Sequence, residues 1–156
     1  MTFLYQRYLS HYKASVFEVD GFTKLVAEQT QKLMLFLNLD VSVLPNPTES
    51  SIKLYYNQKY MVRIIEGCNA LNVIILFVSF VIAFTGKWGH TILFLIFGTA
   101  LIHIMNIFRI ALLTVVLYHF PAQGAIFHDI IFPLIIYGFV FILWIIWVRK
   151  FSKYAT

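Results

Sequence analysis

Three side chains in this sequence have types that combine into a known chemistry: the thiol of Cys68, the guanidinium of Arg109 and the imidazole of His128. Cys68 is the sole cysteine of 156 residues, so it has no internal disulfide to form. A thiol becomes a useful nucleophile when a neighbouring histidine or positive charge stabilises its thiolate. The same histidine can protonate a leaving amine, and an arginine can donate hydrogen bonds to the oxyanion of a tetrahedral intermediate. Together they would break a peptide bond, hold the acyl fragment as a thioester and release it to water or another nucleophile. This chemistry needs neither metal nor cofactor, and none is expected. Taken alone, Cys68 reads more simply as a small buried hydrophobe.

Whether the three residues meet depends on the elements that carry them. The chain is 60% hydrophobic and 12% charged, against about 25% charged in ordinary soluble domains. The charge is also segregated. Residues 1–66 hold thirteen charged side chains, whereas 67–148 hold only Lys87, Arg109 and Asp129. The fold class expected is an all-α integral membrane protein with a polar segment at residues 1–66, a transmembrane domain at 67–149 and a basic tail at 150–156. Met1 to Lys13 has neither the apolar core nor the small-residue cleavage site of a secretory signal. The net charge of +5 forms no patch interleaved with exposed aromatics, so nucleic acid is not an expected partner.

Within the polar segment, Phe22, Leu25, Val26, Leu33, Phe36 and Leu37 recur at helical spacing and Asp20 precedes them as an N-cap, which predicts an amphipathic helix over 22–37. That helix is too short in apolar sequence to span and should lie on the membrane or pack on the domain. Pro45-Asn46-Pro47 breaks the pattern. The alternation of Ile52, Leu54, Tyr56 and then Tyr60, Val62, Ile64 about Asn57-Gln58-Lys59 predicts a β-hairpin. Three hydrophobic spans follow: a short one from Leu71 to Thr85, one from Thr91 to about Leu117, and one from Ile130 to Val148. Pro133 sits in the first turn of the last, where proline is tolerated.

The loop 119–127 contains no Lys or Arg, while Lys87 and Arg149, Lys150 and Lys153 flank the other span ends. The positive-inside rule then puts Lys87 and the tail in the cytoplasm, and loop 119–127 with residues 1–66 outside. Arg109 lies eighteen residues after Thr91, a rise of ~27 Å in a hydrocarbon core of ~30 Å. Cys68, Arg109 and His128 are therefore expected at one depth, near the outer boundary.

Glu66-Gly67-Cys68-Asn69-Ala70, Asn106-Ile107-Phe108-Arg109-Ile110 and His128 ahead of the last span resemble the exosortase/archaeosortase family of membrane cysteine transpeptidases. The resemblance is closest to the exosortase F type of Bacteroidetes and covers roughly Val19 to Tyr154. It implies Cys68 as nucleophile, Arg109 as oxyanion or substrate-orienting group and His128 as acid/base, at the outer face of a bacterial inner membrane. It also implies substrates: exported proteins ending in a short motif, a transmembrane helix and a basic tail, which are cleaved near the motif and transferred to a surface acceptor. Relatives of this type begin with a further hydrophobic span ahead of the segment with which this chain starts, so a full-length form is expected to have four.

Four further residues are candidates for supporting roles. Asn106 is either a partner of the site or interhelical glue. Glu66 and Asn69 flank the thiol and either shape its pocket or cap the following helix. Asp129 is adjacent to His128, but neighbours on a helix diverge by about 100°, which argues against its orienting the ring. An intramembrane arginine reads as functional by default, with snorkelling to the interface as the alternative. His103 reads as a packing residue. Two other classes stay open: a non-catalytic scaffold or accessory subunit in which Arg109 pairs with a partner helix, and a transporter component, against which the small number of spans argues. The lipid bilayer and a small membrane accessory protein are the remaining expected partners.

Overall fold

The computed structural model describes residues 20–65, 68 and 70–151. Its elements are helix α1 (Gly21–Phe36), strands β1 (Val41–Pro45), β2 (Ile52–Tyr56) and β3 (Lys59–Ile64), and helices α2 (Leu71–Ala83) and α3 (Trp88–His119). A last helical run, α4 (Pro121–Lys150), follows.

The amphipathic helix forms as its sequence predicts. Asp20 caps it, its carboxylate accepting from the Thr23 amide at 3.1 Å. It ends with Asn38 left-handed at φ 60°, where the Leu39 amide donates to the Met34 carbonyl and the Asn38 amide to that of Leu35, each at 3.0 Å. That pattern of backward bonds satisfies carbonyls the helix would otherwise leave unpaired. The buried face differs from the one expected. Thr23, Val26, Ala27, Thr30 and Met34 are buried, while Leu35, Phe36 and Leu37 are exposed, Phe36 by 83%. Small threonine and alanine side chains let α1 approach its neighbours closely, and Thr30 satisfies its hydroxyl on the Val26 carbonyl at 2.8 Å. The larger apolar residues are left facing outward.

The hairpin is present, but it belongs to a three-stranded antiparallel sheet in the order β1-β2-β3. Asn57 and Gln58 make the turn, both at positive φ (49° and 63°), the geometry that matches the twist of paired strands. The third strand, β1, pairs Val41 with Tyr56 and Pro45 with Ile52. Proline is tolerated there because β1 is an edge strand.

Two of the three expected spans have membrane length. Helix α3 has 32 residues and α4 has 30, rising ~48 and ~45 Å. Helix α2 has only 13 residues, a rise of ~20 Å, well under a ~30 Å hydrocarbon core. It stops at Ala83 before the Thr85-Gly86 corner. The last run starts nine residues earlier than Ile130, passing through a 3-10 turn at Pro121–Gln123 and a π-helical stretch at Phe127–Ile131 before becoming α-helical at Phe132–Lys150.

Helix α3 joins two cores. Toward its C-terminus, Ile110 and Ala111, flanked by Val115 and Tyr118, pack under α1 and the sheet against Val26, Met34, Leu54 and Ile64. Tyr56 sets its ring edge-on to Tyr118 at 4.7 Å. Nearer the middle of α3, Ile102 packs with Ile74, Phe77 and Val81 of α2 and Val140, Leu143 and Trp147 of α4. Trp147 closes this second core by donating to the Phe84 carbonyl at 3.0 Å.

Gly98 of α3 faces the Phe77 ring of α2. A Cβ at this position would sit 2.2 Å from the ring of Phe77, which is fully buried. Gly98→Ala should therefore lower the unfolding temperature in detergent, with overpacking of about 1–3 kcal/mol outweighing the ~1 kcal/mol by which alanine favours a helix. Adding Phe77→Leu should recover part of the loss. A more stable single variant would contradict this packing.

Candidate functional site

Cys68 lies in the link between β3 and α2, half-buried beside the core under the sheet. Its backbone is held on both sides. The Cys68 amide donates to the Ile65 carbonyl at 2.8 Å, and the Cys68 carbonyl accepts from the Asn106 side-chain amide, also at 2.8 Å. Two residues on, Ala70 takes a left-handed conformation at φ 59°, which costs an alanine roughly 1–2 kcal/mol. Burial of its methyl in the interhelical core offsets this. Strain of this kind persists only where the surroundings over-determine it. Of the flanking candidates, Glu66 and Asn69 lie outside the described residues.

Asn106 is fully buried within α3. One end of its carboxamide holds Cys68, and among the described residues the buried oxygen at the other end has no hydrogen-bond partner. The site therefore keeps a free acceptor next to the backbone of the thiol. The sequence left two readings of Asn106 open, and its bond runs to the backbone of the residue bearing the thiol.

Arg109 follows one turn later on α3. It lines a cavity of about 280 Å³ whose other walls are apolar: Leu33 and Leu37 of α1, Phe108 and Leu112 of α3, and Phe132 and Ile135 of α4. Its Nε is buried without a partner, and among the described residues no carboxylate pairs with it. Leu33 and Leu37 stand four apart on α1, a spacing visible in the sequence, but nothing in it connects them to Arg109.

His128 lies on the π-helical stretch of α4, one turn before the Phe132 that shares the cavity with Arg109. Its Nδ1 is 2.6 Å from the Asp129 carboxylate, with both side chains well exposed. This corrects the expectation that adjacent residues diverge too far to pair. A π-helix winds more loosely than an α-helix, so neighbours splay less. Among the described residues, His128 makes no hydrogen bond to Cys68 or Arg109. Three different elements thus bring Cys68, Asn106 and Arg109, and then Phe132, to the same end of the helices, with His128 just beyond.

His103, expected only to pack, also makes a polar tie. Its Nε2 meets the Gln29 amide oxygen at 2.6 Å, and its ring lies 5.6 Å from Phe22, fastening α1 to α3. No group of three or more His, Cys, Asp or Glu among the described residues could hold a metal ion.

Two membrane-length helices, a third short one, a small helix-and-sheet layer and a half-buried thiol at their seam define a small helical membrane protein with one polar site at one end. The family model of the transmembrane exosortases (Exosortase_EpsH) matches residues 17–150, and the chain belongs to that family. No curated protein and no solved structure matches the chain.

Replacing Asn106 should release the thiol-bearing link. In Asn106→Ala the Cys68 carbonyl loses its donor, a change worth about 1–3 kcal/mol in a buried setting. Alkylation of Cys68 by a small membrane-permeant maleimide should accelerate several-fold when both chains are compared well below their unfolding temperatures. An unchanged rate would mean that Asn106 does not hold the link.

Proposed function

We propose that this chain is a cysteine transpeptidase that cleaves the C-terminal sorting signals of exported proteins at the outer face of a bacterial inner membrane, and within the family we infer the exosortase F type. The observation that carries the reading is the placement of the sole thiol. Cys68 is tied by Asn106 to the turn of α3 that bears Arg109, in a chain matching the transmembrane exosortase family over 134 residues, 17 to 150.

The orientation has support of its own. Phe151 stacks on His90 at 6.0 Å, so the start of α3 and the end of α4 share one end of the molecule. Lys87, Arg149 and Lys150 gather there, as a cytoplasmic end requires. Cys68 and His128 belong to the opposite end, together with the sheet layer.

In the proposed reaction the Cys68 thiolate attacks the scissile carbonyl carbon, and a C–S bond forms as the carbonyl oxygen becomes an oxyanion. Arg109 supplies donors to that oxygen or to a neighbouring carbonyl of the substrate. As the intermediate collapses the C–N bond breaks, and His128 gives a proton to the departing amine. The substrate's new C-terminus is then a thioester on Cys68. An acceptor amine, or water, loses a proton to His128 and attacks the thioester carbon, the C–S bond breaks, and the thiolate is restored. Asp129, hydrogen-bonded to the His128 Nδ1, sets which nitrogen faces the reaction and supports the imidazolium. Hydrogen bonds of a catalytic site often tighten only in the substrate complex, which is where His128 meets the thiol in this reading.

The test is tail removal from a co-expressed substrate ending in motif, helix and basic tail. Cys68→Ala should abolish it. His128→Ala should slow it about 10²–10⁴-fold and Arg109→Ala about 10²–10³-fold, with a milder loss for Asp129→Asn. Processing by Cys68→Ala at the wild-type rate would defeat the enzyme reading and favour a scaffold.

A further inference from the structure

We propose that the cavity beside Arg109 is the docking site for apolar side chains of the substrate segment next to the scissile bond, with Arg109 donating to that segment's backbone carbonyls. The proposal rests on the transpeptidase reading and adds where the substrate is held. Three observations carry it.

First, the cavity lies where α1, α3 and α4 converge without closing. Leu37, Phe108, Leu112 and Ile135 line it and remain roughly half exposed. Its rim thus continues into the outward-facing apolar surface of the two long helices, and it is reached sideways from the bilayer. Second, its size limits the occupant. One turn of an α-helix with side chains, ~10–12 Å across and 5.4 Å high, fills roughly 500 Å³, and the cavity holds about 280 Å³. A whole turn would not be enclosed in it, whereas individual side chains of a segment lying along its open side would be. Third, the one polar wall is unsatisfied. A guanidinium at membrane depth demands acceptors, yet the Arg109 Nε is buried without one. An apolar peptide segment that has left its helix brings both missing parts, hydrophobic side chains for the walls and unpaired carbonyls for the arginine. A lipid tail would fill the walls but offer the guanidinium nothing.

The test places a benzoylphenylalanine photocrosslinker at Ile135 in a Cys68→Ala chain, which keeps the substrate uncleaved, co-expressed with the tail-bearing substrate. Irradiation should give a substrate adduct at Ile135 and none at Leu93, which is 67% exposed on α3 away from this cavity. In the otherwise native chain, Leu112→Trp should reduce tail removal at least tenfold while leaving Cys68 alkylation unchanged, and Leu93→Trp should have no effect. Lipid adducts alone at Ile135, or full processing by Leu112→Trp, would overturn the docking proposal even if Cys68→Ala abolishes processing. Processing by Cys68→Ala would instead remove the reading on which it rests.

Discussion

The hydrogen bond from the Asn106 carboxamide to the Cys68 carbonyl, 2.8 Å long, connects two parts of the molecule that fold by different rules. On one side lies a small helix-and-sheet layer with strand alternation, tight turns and a conventional core. On the other are apolar helices whose outward faces carry Phe, Ile and Leu. The residue bearing the thiol sits on the seam, in a link only six residues long between Ile64 and Leu71. A link at a membrane boundary would ordinarily be loose, since neither water nor hydrocarbon fixes its backbone. Here a fully buried asparagine reaches out of a spanning helix to hold it, and the strained Ala70 is locked by packing in the interhelical core.

Helix α3 is long enough to make this arrangement work. At ~48 Å it exceeds a ~30 Å hydrocarbon core by several turns, so its C-terminal portion supports the sheet layer while its middle packs among α2 and α4. The polar groups of the site fall at the junction of these regions. Asn106 and Arg109 each keep a buried polar atom unpaired, at about 1–3 kcal/mol apiece for a neutral group and more for a charged one. Their place in α3, level with the thiol-bearing link, fits a site whose missing hydrogen-bond partners would arrive with the substrate.

Much of this was legible in the residues. Asp20 announced the start of α1, Asn57-Gln58 the hairpin turn, and the run of apolar sequence the two long helices. Asn106 was singled out beside Arg109, and its side-chain amide donates to the Cys68 carbonyl. The rest turned on tertiary context. Strand β1 was hidden because Val41 to Pro45 is short and ends in proline, and it forms because β2 offers it an edge. The sequence left open whether α1 lies on the membrane or packs on the domain; packing against α3 and the sheet takes Thr23, Val26, Ala27, Thr30 and Met34 and leaves Phe36 and Leu37 outward. The pairing of His128 with Asp129 falls on a π-helical stretch for which the sequence carries no signal, whereas the shortness of α2 was already visible in the apolar run from Leu71 to Thr85.

The central claim is that Cys68 carries the acyl group during transfer. Acid quenching of the purified chain during turnover of a sorting-signal substrate, followed by mass spectrometry of the Cys68 peptide, tests it most directly. The account predicts an adduct on Cys68 whose mass is that of the substrate fragment upstream of the cleaved bond and which neutral hydroxylamine removes. Tail removal proceeding with Cys68 unmodified throughout, or with the fragment attached to another residue, would contradict it.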